Sequence, residues 1–149
     1  MPLITVNKKV FFDYEILETF EAGLALFGHE VKAIKTGHIS LDGAYVVVKE
    51  GEAYLLNAKI PAYQPANVPK EYDPARSRKL LLHKKELNYL IGKSHAQGLT
   101  LVPLRVYTKR SKIKLEFGLA KGKRKYEKRE LIKKRETGRE IERGLKTWG

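Results

Sequence analysis

Residues 99–119 read LTLVPLRVYTKRSKIKLEFGL, two β-rich runs joined by Lys109-Arg110-Ser111. Leu99 to Thr108 and Lys112 to Leu119 are expected to fold back on each other as a hairpin. Leu101, Leu104, Val106, Ile113, Leu115 and Phe117 supply its core groups, and Lys112, Lys114 and Glu116 face out at the two-residue spacing of a half-buried strand. Upstream, Ala44 to Lys49 and Ala53 to Asn57 flank Glu50-Gly51-Glu52, and a glycine between two β-rich runs marks a second hairpin.

The rest of the chain is read outward from these hairpins. Asp13 is placed to cap a helix over residues 14–22, with Ile16, Leu17 and Phe20 on one face and Gly23 as the stop. Leu24, Leu26 and the segment from Glu30 to Lys35 alternate like a strand. Residues 61–77 hold Pro61, Pro65, Pro69 and Pro74 and read as a long surface loop. Arg78 to His83 forms a further strand, and Leu87, Leu90 and Ile91 set a helical stripe on residues 84–97, closed by Gly98. Several antiparallel strands, short peripheral helices and tight turns predict a mainly β fold. Its form is a small closed barrel, and small β-barrels of the oligonucleotide-binding type carry nucleic acid on their faces and loops. Fold alone does not give function.

Charge sharpens the choice of partner. The chain has 149 residues and a formal net charge of +13. Residues 1–60 carry −2, residues 61–120 carry +8, and the stretch from Lys121 to Gly149 carries twelve basic groups against five Glu, or +7. That stretch has few large apolar residues (Leu131, Ile132, Ile141, Leu145, Trp148), too few to offset the entropy of ordering it alone. The expected organisation is therefore an RNA-binding barrel domain over 1–120 and a disordered basic tail over 121–149. A basic arm of this kind condenses onto polyanions. A membrane surface would need a more apolar amphipathic helix. With no cysteine, disulfides and thiolate zinc sites are excluded, and a reducing cytoplasm fits. The N-terminal residues lack the pattern of a secretory signal, and no apolar run approaches a membrane span.

Motifs for chemistry fail on spacing. Gly118 to Lys123 is one residue short of a phosphate loop, and Arg124 stands where a magnesium-binding Ser or Thr belongs. Gly118 and Gly122 read instead as a hinge into the tail. His29, His38, His83 and His95 lack metal-ligand spacing, and no nucleophile–base pair stands out, so no catalytic residue, metal or cofactor is expected. His83 lies near Arg76 and Arg78 and could contact a splayed base. Glu21, in Phe20-Glu21-Ala22-Gly23, could accept hydrogen bonds from base amino or imino groups, although a solvated carboxylate is the default reading. Tyr126, isolated among tail charges, could stack on a base.

Three segments resemble the bacterial SsrA-binding protein (small protein B) family. They are Asp13 to Lys32, including Phe20-Glu21-Ala22-Gly23 and Gly28-His29-Glu30-Val31-Lys32, then Asp73 to His83, then Gly118 to Arg129. The match runs in order from about Asn7 to Arg129. What it implies is a small closed antiparallel β-barrel related to the oligonucleotide-binding fold, binding of the tRNA-like domain of transfer-messenger RNA, and its delivery, with elongation factor Tu, to stalled ribosomes for peptide tagging. Glu21, Leu81 and His83 fall at positions for gripping that RNA, and Asn7, Lys8, Tyr45, Arg78 and Lys79 complete the expected contact set. Lys121, Gly122, Lys123, Arg124, Tyr126, Glu127, Lys128 and Arg129 fall in the tail that enters the empty messenger channel, lined by 16S ribosomal RNA, near the decoding centre. The family reading is of a monomer. His83 stands where some members have Asn, and Glu127 where many have Asp.

Two other classes compete. An RNA-modifying enzyme would need a cofactor loop or nucleophile, and none is found. A structural ribosomal protein would bind ribosomal RNA permanently, without preferring a tRNA-like RNA. The RNA that co-purifies from cells discriminates among the three.

Overall fold

The 99–119 hairpin extends beyond its sequence pattern. In the computed structural model, which describes residues 3–64, 66, 68–93 and 98–123, β6 (Leu99–Lys109) and β7 (Lys112–Gly122) pair antiparallel from Lys109↔Lys112 to Leu99↔Lys121. Arg110 and Ser111 form the turn with φ of 51° and 66°. Two successive left-handed residues match the twist of the flanking strands. A register shift between Pro103 and Arg105 then breaks the alternation. As a result Leu101, Val106, Ile113, Leu115 and Phe117 enter the main core, while Leu104 packs on the opposite face with Val10, Val102 and Ala120. All six expected core groups are buried, and the bulge divides them between two faces.

The other elements, in chain order, are β1 (Leu3–Val6), α1 (Lys8–Asp13), β2 (Tyr14–Leu24), α2 (Gly28–Lys35), β3 (Tyr45–Lys49), β4 (Glu52–Leu56), β5 (Arg78–Leu81) and α3 (Lys84–Lys93). The strand order β6-β3-β4-β5-β2-β7 closes on itself through β6–β7, and β1 adds to β6. One edge of β6 is shared, since Leu101 pairs with β3 and Arg105 to Tyr107 pair with β1. Every strand pairing is antiparallel, and the ring is the closed barrel that the hairpins predict. Ile34, Leu55, Leu80, Leu90, Leu115 and Phe117 fill its interior.

Two elements differ from the sequence reading. Residues 14–22 are strand, not helix. β2 is hydrogen-bonded to β7 from Tyr14↔Gly122 to Gly23↔Lys114, with a register shift between Ile16 and Glu18. The extra residue puts Ile16, Leu17 and Phe20 at a helix-like spacing although Leu17 points to solvent. Asp13 ends α1, a helix the sequence reading did not contain, which covers the second small core. Conversely, residues 28–35 are helix, not strand. Glu30, Ala33 and Ile34 are its buried face at i, i+3 and i+4, and the Glu30 carboxylate accepts the Phe27 N–H at 2.8 Å, satisfying an orphan donor of the first turn.

Gly118 is no hinge. It lies inside β7, where a Cβ would meet Ile16 Cγ2 at 2.9 Å and the Glu18 carbonyl at 3.0 Å. The residue is required by the close approach of β2 at its bulge. Strand pairing continues through Lys121 and Gly122.

Candidate nucleic-acid interface

The outer face of β2, β7 and β6 brings together groups far apart in the chain. Glu21 and Gly23 project on that face, since Phe20, Ala22 and Leu24 point inward. Gly23 sits opposite Leu81 on β5 and Lys114 on β7. The missing side chain at Gly23 lets Leu81 lie over the strand, with its Cβ 3.3 Å from where a Cβ would be. Leu81 is 53% exposed, an apolar surface beside a carboxylate. His83, exposed, follows two residues on at the start of α3. Glu21 and Leu81 therefore meet on one surface, with His83 continuing the chain from it.

Two partners of Glu21 escaped the sequence reading. The Tyr107 hydroxyl donates a short hydrogen bond to Glu21 Oε2, and Lys109 Nζ lies 3.3 Å from Oε1. Tyr107 and Lys109 share a face of β6 by period two, which is local. Their apposition to Glu21, two strands away, is a matter of register. The Tyr107 hydrogen bond holds the Glu21 carboxyl below its ordinary range, partial burial opposes this, and Lys109 and Lys114 add to the lowering. Tyr107 itself is pushed up, by burial first and then by the carboxylate. The result is an ionised carboxylate, about a third exposed, ringed by lysines. Such a group can accept hydrogen bonds from base edges while the lysines meet phosphates.

The other expected contact residues disperse. Lys79 is exposed on β5 and pairs with Glu52 at 3.5 Å. Lys8 is exposed on α1, and Tyr45, 42% exposed, lines a separate concavity of about 430 Å³ with Tyr14 and Asp42. Asn7 also borders it, but its side chain is buried and its amide donates to the carbonyls of Leu41 and Pro103 at 3.4 and 3.2 Å. Asn7 ties β1 to the barrel.

Arg78 is placed where no ligand can reach it. Its side chain is 0% exposed, and all its N–H groups are taken within the protein. Nε and Nη2 bind Glu30 Oε2 at 2.9 and 2.7 Å, Nη1 binds the carbonyls of Ala58 and Arg76, and Nη2 also reaches Tyr72 and Pro74. Arg76 closes the same cluster, binding Glu30 Oε1 at 2.5 Å and stacking over the Phe27 ring at 4.0 Å. Burial works against ionisation of Glu30, but hydrogen bonds from Arg76, Phe27 and Arg78 outweigh it and lower its pKa to about 2. These arginines therefore turn away from His83, and the proline-rich loop is pinned to α2 through Tyr72 and Arg76. His29 packs edge-on against Tyr72 at 4.5 Å, a structural histidine.

The root of the tail is fastened. Lys121 and Gly122 are strand residues. The Lys123 N–H donates to the Asp13 carbonyl at 2.9 Å, and its ammonium binds the Phe11 carbonyl at 3.2 Å, at the end of α1. Arg124, Tyr126, Glu127, Lys128 and Arg129 lie outside the described residues, as does His95. Among the described residues no group of three metal-binding side chains lies together, and no helix is long and apolar enough to cross a membrane.

Comparison with known proteins supplies an independent line. Residues 4–147 match the family model described as SmpB protein. The chain is 49% identical over 146 residues to the SsrA-binding protein of Gloeothece citriformis, covering 98% of this chain and 94% of that one. It is 51% identical over 144 residues to the SsrA-binding protein of Sulfurihydrogenibium (97% and 94%), and 49% over 147 residues to that of Thermosipho africanus (98% of each). Among solved structures, it is similar to a chain from one described as "tmRNA-SmpB: a journey to the center of the bacterial ribosome". The TM-score there is 0.68 and the identity 43%, covering 89% of this chain and 95% of that one.

Proposed function

The chain belongs to the SmpB protein family, and from that footing we propose that it binds the tRNA-like domain of transfer-messenger RNA and delivers it to stalled bacterial ribosomes. The carrying observation is the extent of the family match, residues 4–147, which takes in both the barrel and the basic tail. The exposed Glu21 carboxylate beside Leu81 and a field of lysines supports the same reading on physical grounds. Folded RNA is read by shape, stacking and hydrogen bonds to unpaired bases, which calls for a rigid surface with apolar, acidic and basic groups in register. In this reading Glu21 selects, Leu81 and His83 pack or stack, and Lys109 and Lys114 provide electrostatic affinity.

The tail from Arg124 onward takes a second task. It enters the messenger channel only when that channel is empty, and the cost of ordering a basic arm falls due at that moment. A channel still holding message excludes it, which is a physical basis for sensing a stall. Elongation factor Tu joins the delivery complex, the protein acts as a cytoplasmic monomer, and it performs no chemistry of its own.

The test is to purify the full chain from its cells, sequence the bound RNA and assay peptide tagging. One dominant RNA ending in a tRNA-like fold is the expected result. Recovery of ribosomal RNA alone, without preference for a tRNA-like species, would replace this reading with that of a structural ribosomal protein. Truncation after Lys123 should leave RNA binding in place and abolish tagging.

A further inference from the structure

A concavity of about 720 Å³ lies between the end of α2 and the tip of the β6–β7 hairpin. Leu3, Ile4, Lys35, Lys109, Arg110 and Ser111 are among the residues that line it. Among the described residues its lining holds three cationic side chains and no carboxylate. They come from residue 35 and residues 109–110, so no local charge run announces them. The carboxyl end of a helix would ordinarily repel an anion. Here the carbonyls of Lys32, Ala33 and Ile34 are already occupied by the N–H groups of Thr36, His38 and Gly37, which blunts that end.

One residue joins this concavity to the carboxylate face. Lys109 lines the hollow and also holds Glu21 at 3.3 Å. We propose that the hollow is a phosphate-binding subsite that seats the sugar–phosphate backbone of the RNA reading Glu21, and that Lys109 couples the two. A phosphate entering between Lys35 and Arg110 competes with Glu21 for the Lys109 ammonium. As Lys109 turns to the phosphate, Glu21 loses an intramolecular partner and its acceptor sites become available to a base. Arg110 suits the task as a fork of donors, and Lys35 and Lys109 as point charges. The proposal rests on the RNA-binding reading above, and adds a site and an order of events to it.

The experiment measures affinity of the full chain for the tRNA-like RNA and for an unrelated RNA hairpin across a salt series. Variants are Lys35→Ala, Arg110→Asn (a residue that tolerates the left-handed turn), their combination, and Lys109→Met. Lys49→Ala with Lys59→Ala serves as a charge-matched control on exposed lysines elsewhere. Each lost phosphate contact should lower the slope of log affinity against log salt by about 0.7–0.9. The double variant should therefore lose about 1.5 for both RNAs, Lys35→Arg should restore its share, and the control should leave the slope unchanged. Lys109→Met alone should lower the slope but raise the preference for the tRNA-like RNA, because Glu21 is then open to a base without a phosphate drawing its partner away. An unchanged slope in the folded double variant, or an equal loss in the control, overturns the subsite. An unchanged or reduced preference in Lys109→Met overturns the coupling. If wild-type protein shows no preference between the RNAs while the slopes fall as expected, the delivery function fails and the phosphate subsite stands.

Discussion

Glu21 and Glu30 lie nine residues apart in one motif-bearing segment, both with carboxyls held below their ordinary range, and they do opposite work. Glu30 is 0% exposed, and its two oxygens accept six hydrogen bonds from Phe27, Tyr72, Arg76 and Arg78. It has no acceptor left for a ligand. Glu21 is about a third exposed and, among the described residues, accepts from Tyr107 and Lys109. A carboxylate saturated by its own protein fastens elements together; one left partly unsaturated at a surface keeps acceptor sites open, as the proposed RNA contact requires. The arginines divide the same way, since Arg78 is sealed inside while Arg110 stands on the rim of the hairpin hollow.

The largest expected effect breaks the first member of this pair. Glu30→Gln leaves the Arg78 guanidinium buried without a counter-charge, a loss of about 3–5 kcal/mol. Thermal or urea unfolding measures it, and a loss under 1 kcal/mol would mean the cluster relaxes onto water. Acid acts on the same bond. The Glu30 pKa falls from an ordinary 4.5 to about 2 in the folded chain. Its stabilisation is therefore complete above about pH 4.5 and is lost as the pH drops toward 2. An unfolding free energy that is flat across that range would contradict the assignment.

The second prediction reverses the roles. Glu21→Ala should weaken binding of the tRNA-like RNA by about 1–3 kcal/mol, the range of a lost base contact, with at most about 1 kcal/mol lost in folding stability. Should stability fall as far as it does for Glu30→Gln, the contrast between the two glutamates collapses. Tyr107→Phe sharpens the point with a smaller effect. It removes the hydrogen bond that most lowers the Glu21 pKa, and NMR titration of the carboxyl should then move upward toward the ordinary value. RNA affinity in that variant should begin to decline at a higher pH than in wild type as acid is added, since the base-accepting form is the ionised one.

The smallest effect is expected at Lys123. Lys123→Met removes one part-buried hydrogen bond to Phe11, about 0.5–1.5 kcal/mol of stability. RNA affinity at low salt should change little, while tagging should fall if the exit direction of the tail matters. Equal losses in both would place Lys123 in the primary RNA grip.

The hairpins at 45–56 and 99–122 were legible because their signals are local: period-two alternation and a turn of short reach. Where a bulge adds one residue, as at Leu17 on β2 and Leu104 on β6, the local period misleads. Residues 14–22 then mimic a helix, and the division of the β6 core groups between two faces goes unseen. The true helix at 28–35 was hidden because Val31 and Ala33 alternate convincingly until Glu30 is recognised as a buried group. Of the proposed contact surface, Glu21, Leu81 and His83 were legible through the family resemblance. Tyr107, Lys109 and the Lys35–Arg110 hollow were not.

By itself the sequence determined the mainly β class, the excess of basic charge and its concentration toward the C-terminus, and the lack of thiol chemistry. These depend only on composition and on neighbours a few residues away. Which carboxylate is buried and which is offered, and that Arg78 and Asn7 serve the interior, were decided by the tertiary structure alone. Closure of the barrel sets β2 against β7 and β5, and β6 against β7, so a single register places Glu21 beside Tyr107 and Leu81 and drives Arg78 inward onto Glu30. A shift of one residue would exchange those faces, and no window of local sequence contains that choice.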